Sequence, residues 1–474
     1  MSGAKHTILL VTPPYHSGIP EIAGRWLPLG LVYLAGAARQ AGVGAEIYDA
    51  MATGDGHAEI RRRIGASAPR YVATGAMTAT AAEAIAVLRT AKELDPACVT
   101  ILGGGHASFM YREILAAEPA VDFVVLGEGE QTLTHLLQTL EQGEDPAGVP
   151  GIAWHDGGAV RENTRRPLID DLDALLPAWD LVEWPLYSYF IIPDSRFAAI
   201  STSRGCSHQG DFCCQEQFWQ GSWRGRDPQK VAREVAELHR RHGVNVFLVT
   251  DEHPARDAAR WERFLDLMIE QALPVHLIME ARAEDVIRDR DIFWKYAKAG
   301  VAHVMLGVES AQQQMLARLG QVTAPDATGE ALAIIRDHGI VSEASFFVGF
   351  PDETPESMQA TLKEAQRCNP DNANFLPLTP WPYGSMYREL AQLIRETDFS
   401  RYNFVDPVLA PKTMSLKELQ RGINDCYRRF YMAKMLEVMT MKDTFRRGYL
   451  VRATKLIMGS SFVIGKLNPW GSAK

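Results

Sequence analysis

The sequence predicts an α/β protein: a doubly wound, Rossmann-like first domain, a partial (β/α)6 barrel after it, and a helical C-terminal extension. Three observations predict this. Residues 7 to about 145 alternate five short apolar runs with amphipathic segments. The alternation resumes with six further units from Ala198, and beyond about Arg388 only helical and irregular patterns remain. Continuous apolar strands between amphipathic helices specify a parallel sheet covered on both faces.

In the first domain the strand candidates are Thr7–Val11, Ala45–Tyr48, Tyr71–Thr74, Val99–Leu102 and Phe123–Leu126. Helical segments lie between them, at Leu29–Gln40, Ala81–Leu94 and Glu130–Leu140. A doubly wound sheet binds its ligand beyond the carboxyl ends of its strands. Those ends carry Pro13-Pro14-Tyr15, Gly103-Gly104-Gly105-His106 and Gly127-Glu128-Gly129-Glu130. One such loop is turn chemistry; three on one sheet edge point to a ligand cleft. Residues 151–197 read as a linker with a hairpin, Gly151–Trp154 and Ala159–Glu162 across Asp156-Gly157-Gly158. The barrel strands are Ala198–Thr202, Val246–Val249, His276–Met279, His303–Gly307, Ser345–Val348 and Asn374–Leu378. The helices are Pro228–Arg240, Ala258–Gln271, Asp291–Lys298, Asp326–His338 and Glu356–Arg367. Catalytic groups of such barrels sit at the carboxyl ends of the strands. The expected boundaries are 1–150, 151–197, 198–388 and 389–474.

A chain of 474 residues is too long for one core. A net charge of −9 argues against a general nucleic-acid binder. Yet Tyr427 to Lys474 holds ten Lys and Arg against two acidic residues, +8, which leaves −17 for the remainder. Cys98, Cys368 and Cys426 are scattered, which suits a reducing cytoplasm rather than a disulfide scaffold. No stretch of 18 or more apolar residues exists, so no membrane span is expected, and Ile8–Val11 is too short for a signal-peptide core.

The other three cysteines crowd into Cys206-Ser207-His208-Gln209-Gly210-Asp211-Phe212-Cys213-Cys214, just after a strand. Such a loop can hold iron or zinc through thiolates. With it come Pro28-Leu29-Gly30-Leu31, Ser203-Arg204-Gly205-Cys206, Phe218-Trp219, Trp223-Arg224-Gly225-Arg226, Asp251-Glu252, Gly307-Val308-Glu309-Ser310, Gly349-Phe350-Pro351-Asp352-Glu353-Thr354 and Pro380-Trp381-Pro382-Tyr383. This ordered series, with the glycine loops above, resembles the cobalamin-binding radical S-adenosylmethionine (SAM) enzymes. The branch it looks most like contains the anaerobic magnesium-protoporphyrin IX monomethyl ester oxidative cyclase.

The resemblance implies cobalamin in the first domain, near Pro13, Pro14, Gly104, Gly105, His106, Gly127 and Glu128. The Asp-x-His-x-x-Gly motif of other cobalamin proteins is absent, so no lower histidine ligand is expected. It implies a 4Fe-4S cluster and SAM in the barrel, with cleavage of SAM to a 5′-deoxyadenosyl radical. Cys206 and Cys213 match the first and third cysteines of the family's CxxxCxxC loop, and Phe212 matches its shielding aromatic. Gly210 stands at the second. Three readings stay open: Cys214 substitutes, His208 ligates an iron, or the loop holds no stable cluster. Zinc on Cys206, His208, Cys213 and Cys214 is a further one.

Asp251 and Glu252 are expected near the SAM ammonium and Glu309 near its ribose, while Glu280 and Arg282 end the third strand, where Arg282 can offer a bidentate fork to a carboxylate; singly, each also reads as a solvated strand-end charge. Trp219, Trp223, Trp381 and Tyr383 read either as an apolar wall for a large ligand or as core. The implied function is oxidative cyclisation or oxygenation of a porphyrin-like molecule, or C-methylation. The alternative is a cluster-deficient cobalamin- or SAM-binding relative. An electron donor such as flavodoxin or ferredoxin is implied as a partner. Residues 445–458 mix cations with apolar groups, with Leu450, Ile457 and Met458 on one helical stripe. They read as a helix packed on the barrel or as a peripheral membrane contact.

Overall fold

A computed structural model describes residues 6–16, 20–206, 213–308 and 326–459, and the chain divides into two compact units. The first carries strands β1 (Thr7–Thr12), β2 (Gly44–Asp49), β3 (Tyr71–Gly75), β4 (Val99–Gly103), β5 (Phe123–Val125), β6 (Ile152–Asp156) and β7 (Ala159–Glu162). They form one sheet in the order β2-β1-β3-β4-β5-β6-β7. The first five strands run parallel, and β6 and β7 add on antiparallel. The hairpin expected in a linker is therefore the edge of this sheet.

Five helices cover the sheet: α1 (Leu29–Gln40), α2 (His57–Ser67), α3 (Ala81–Leu94), α4 (Gly105–Ala117) and α5 (Glu130–Gln142). Strand side chains alternate between the two faces. Leu9, Val11, Val72 and Leu102 pack with α2, α3 and α4, whereas Ile8, Leu10, Tyr71 and Ile101 pack with α1 and α5. Chain order reverses between β1 and β3, which opens a crevice at their carboxyl ends.

In the second unit β8 (Phe197–Ile200) leads into an antiparallel ribbon of β9 (Ser203–Gly205) and β10 (Trp223–Gly225). Five more strands follow: β11 (Val246–Val249), β12 (His276–Ala281), β13 (Val301–Val308), β14 (Val341–Val348) and β15 (Asn372–Pro377). With β8 they form an all-parallel sheet in the order β15-β14-β13-β12-β11-β8. Helices α6 (Pro228–His242), α7 (Ala258–Gln271), α8 (Ala327–Asp337) and α9 (Pro355–Cys368) connect them, with the short helices Ala283–Arg288 and Phe293–Lys298 between β12 and β13, in a partial barrel of six parallel strands.

The C-terminal extension is a helix pair, α10 (Leu416–Thr440) and α11 (Thr444–Gly459). Leu419, Ile423, Cys426 and Phe430 form the buried face of α10, which packs on α9 and β15. The stripe expected on α11 is corrected: Leu450 is buried with Tyr449 and Ala453, whereas Ile457 and Met458 are exposed. A seven-residue offset advances a helix by almost two whole turns but does not say which positions meet a neighbour.

Arg446 secures α11 by pairing with buried Asp371, Nη2 to Oδ1 at 2.6 Å. Asp371 also accepts from the Ser342 N–H of β14 at 3.0 Å. Removing one partner of a buried pair strands the other charge. Arg446→Ala is expected to destabilise the barrel unit by about 3 kcal/mol, read as an earlier tryptophan-fluorescence transition in urea.

Candidate functional site

The site in the second unit grows from the ribbon that brackets the cysteine loop. Gly205 has φ +100°, and a Cβ there would stand 2.1 Å from the Ser222 carbonyl oxygen. Only glycine permits the two ribbon strands to approach so closely. Cys206 follows immediately and is buried. Arg282, just past β12, brings Nη2 to 3.6 Å from its sulfur. Arg282 Nε is buried and finds no hydrogen-bond partner among the described residues. Cys213 is exposed and Cys214 half-buried, and no cysteine forms a disulfide. Burial pushes the Cys214 thiol up, while a Tyr383 hydrogen bond works the other way. His208, Gly210, Phe212 and Glu309 lie outside the described residues.

Asp251 and Glu252 follow β11 and both serve the ribbon. Asp251 is 2% exposed. Its oxygens accept from Thr202 N–H at 2.7 Å, Thr202 Oγ1 at 2.5 Å and Ser203 Oγ at 2.6 Å. The carboxylate holds the link between β8 and β9 and is not the solvated strand-end charge of the alternative reading. Burial raises this carboxyl to about 6, against those bonds. Glu252 accepts from Gly205 N–H at 3.1 Å and from Trp219 Nε1 at 2.7 Å. It thus grips the residue before Cys206 and a residue beyond Cys214.

Glu280, at the end of β12, keeps solvent access on a side chain that protein otherwise surrounds, with Glu252 and Glu343 as its acidic neighbours. Burial pushes it up to about 7, helped by Glu252 and Glu343 and opposed by Arg282. Glu343 of β14 lies 3.4 Å from His303 of β13 and accepts from Asn374 of β15 at 2.8 Å. Burial opposes its ionisation, but those bonds outweigh it and hold the carboxyl below its ordinary value. Trp219 and Trp223 are committed to the ribbon's surroundings: the Trp223 indole donates to the His253 carbonyl, and Arg224 and Arg260 lie over the two rings. Trp381 and Tyr383 stack with planes 5° apart and stay half-buried, a flat aromatic surface beside Cys214. Asn374, Glu343 and Tyr383 as a Cys214 partner escaped the sequence reading; nothing in their local pattern separates them from ordinary strand and loop residues.

The first unit builds a glycine shelf at the carboxyl ends of β3, β4 and β5. Gly104 has φ +93°, and a Cβ would stand 2.8 Å from the Ala76 carbonyl oxygen, so the β4 loop lies directly on the β3 loop. Beyond Gly75 and Gly127 a Cβ would meet nothing within 4 Å. The Thr74 hydroxyl is buried without a hydrogen-bond partner among the described residues. His106 Nδ1 lies 3.2 Å from Thr78 Oγ1, and burial alone lowers this imidazole to about 4. Glu128 is spent on structure, accepting from the Ile169 N–H at 2.8 Å. Pro13 closes a turn by accepting from Tyr15 N–H, with Pro14 half-buried beside it.

Residues 16–137 match the B12 binding domain family, and residues 200–365 match the Radical SAM superfamily. The anaerobic magnesium-protoporphyrin IX monomethyl ester cyclase of Rubrivivax gelatinosus is 37% identical, over 98% of this chain and 85% of its own length. The chain belongs to the cobalamin-binding radical SAM family. That family also includes methyltransferases: the hopanoid C-3 methylase of Methylococcus capsulatus is 26% identical over 82% of this chain and 74% of its own length. The fold is that of the radical SAM methyltransferase TsrM from Kitasatospora setae, with a TM-score of 0.72 at 16% identity over 96% of this chain and 99% of that one.

The cofactors of a cobalamin-binding radical SAM enzyme are a 4Fe-4S cluster, SAM and cobalamin, and this chain's residues fit them. Three thiols share one loop, and Arg282 beside it keeps a buried guanidinium nitrogen that has no hydrogen-bond partner among the described residues. The glycine shelf is clear of side chains at Gly75 and Gly127, and the Thr74 hydroxyl, buried without a hydrogen-bond partner among the described residues, can meet a polar edge. Nothing here favours a cluster-free relative.

Glu280 generates a pH prediction. Its carboxyl is raised from 4.5 to about 7. Ionising it therefore costs folded-state stability progressively between those values and fully above them. Glu280→Gln is expected to melt like the parent near pH 4.5 and above it at pH 8. A difference in melting temperature that does not grow with pH rejects the assignment.

Proposed function

We propose that this chain is a cobalamin-dependent radical SAM enzyme acting on a large, flat, porphyrin-like substrate, by oxidative cyclisation or oxygenation. The observation that carries this reading is the end-to-end likeness to the cyclase, in a chain whose cysteine loop is gripped by Glu252. When bound, the reduced cluster supplies the electron for reductive cleavage of SAM and the corrin supplies a redox-active cobalt.

Cys206, Cys213 and Cys214 would hold the cluster, leaving one iron open, as three thiolates do. Arg282 steadies the Cys206 thiolate and offers its remaining face to a carboxylate. Glu280, held near neutrality, can keep or release a proton inside the barrel at physiological pH. Glu309 remains a proposed ribose partner and Phe212 a proposed cluster shield. Trp381 and Tyr383 offer the flat face against which a macrocycle stacks. In the first unit Gly75, Gly104, Gly105 and Gly127 would seat the corrin, with neutral His106 behind them. C-methylation is the second reading, favoured by the likeness to the hopanoid methylase. An electron donor such as flavodoxin or ferredoxin is the proposed reductant. The C-terminal helices are the proposed contact with a membrane that supplies an apolar substrate; no described helix is long and apolar enough to cross one.

Two experiments test the cofactor assignments. After anaerobic reconstitution, Cys214→Ser is expected to lose iron as fully as Cys206→Ser, and Gly210→Cys to gain it. Unchanged iron in Cys214→Ser rejects Cys214 as the third donor. Gly75→Val, which fills the open shelf without requiring positive φ, is expected to weaken hydroxocobalamin uptake about tenfold. Parent-like corrin absorbance in that variant moves the corrin off the shelf.

A further inference from the structure

The face of α10 opposite the barrel changes character along its length. Its first four turns turn Lys417, Arg421, Arg428 and Arg429 outward, as a surface helix should. Its last two turns turn Met432, Met435, Leu436 and Met439 outward, at 66%, 56%, 73% and 70% exposure. The offsets of three, four and seven put these four on a single stripe. The helix is already satisfied on its other side, where Leu419, Ile423, Cys426 and Phe430 are buried. It therefore carries a second apolar face that the described residues leave uncovered, and such faces mark interaction sites. On α11, Ile457 and Met458 are exposed as well.

Charge selects the occupant. Residues 416–459 hold ten Lys and Arg against four Asp and Glu, net +6, which leaves −15 for the rest of a −9 chain. An anionic surface attracts this region and repels the remainder. A second copy packed through the same face about a two-fold axis would set +6 against +6. We propose that the last two turns of α10 dock the protein on an anionic lipid bilayer. Met432, Met435, Leu436 and Met439 reach the boundary of headgroup and acyl chain, and Arg428, Arg429 and Lys442 lie against the headgroups. Methionine suits this role because its unbranched thioether adapts to an irregular apolar medium. The inference deepens the proposed membrane contact by moving it from residues 445–458, where Arg446, Tyr449 and Leu450 are buried, to α10.

The test is co-sedimentation of the full chain with phosphatidylglycerol–phosphatidylcholine vesicles and with phosphatidylcholine alone, at low and high salt. Binding is expected to the anionic vesicles, weakened by salt. The double variant Leu436→Glu/Met439→Glu is expected to lose at least about tenfold in affinity. Leu176→Glu, at an exposed position in the first unit, is expected to bind like the parent. Circular dichroism and hydroxocobalamin uptake show that the variants fold. Parent-like binding by the α10 variant, with binding lost in Arg447→Glu/Lys455→Glu, overturns the α10 inference and leaves the broader membrane reading standing. No binding by the parent overturns both. A concentration-dependent dimer that only the α10 variant abolishes makes a second copy the occupant and overturns the inference.

Discussion

Two adjacent carboxylates at the end of β11 hold the second unit's site in shape. Asp251 and Glu252 each meet a different part of the segment that presents the thiols. Asp251 carries three donors from Thr202 and Ser203 in a buried setting. A donor left buried without its acceptor costs about 1–3 kcal/mol, so this carboxylate fixes the turn from β8 into β9. Glu252 then closes the loop's two ends against one another. The cysteines between them gain a defined entry and exit without help from any ligand.

The electrostatics of the barrel follow from that commitment. Glu252, Glu280 and Glu343 gather inside with Arg282 as their cationic neighbour. Like charges at close quarters cannot all ionise freely. Glu343 keeps its charge because His303 and Asn374 serve it, whereas Glu280 is raised first by desolvation and then by its acidic neighbours. His303 in turn meets the Tyr449 hydroxyl of α11 at 2.9 Å. The C-terminal extension is thereby wired into the barrel through the same polar groups that shape its interior. This explains why α11 buries Tyr449 and Arg446 while leaving Ile457 and Met458 outside.

The first unit rests on a different constraint, the close contact of two loops. Gly104 lies against the backbone at Ala76, and Ser108 ties the same loop to the next by accepting from the Gly127 N–H at 2.9 Å. Glycine at these positions lets strand ends draw together and leaves a surface clear of side chains. Open space beyond Gly75, which ends β3, agrees with the topology, because the strand order 2-1-3-4-5 parts the loops at β1 and β3.

Periodicity and motif order were enough to read the fold class and the family. Every strand foreseen from apolar runs is present, because alternation with amphipathic helices leaves a parallel sheet as the means of burying them. The cysteine loop was legible too, because thiol spacing is local. What the sequence could not decide was direction. Asp251 and Glu252 are chemically alike neighbours beyond the end of β11, and nothing local says that both turn to the ribbon or which part of it each one meets. The stripe on α11 failed, and the exposed stripe on α10 went unnoticed, for the same reason. Helical spacing defines a face, but only the neighbouring elements determine whether that face is buried or open. The sequence by itself determined the elements, their order and the thiol cluster. Tertiary structure alone decided which carboxylates are spent holding the loop, because that depends on residues some 50 positions apart meeting across two strands.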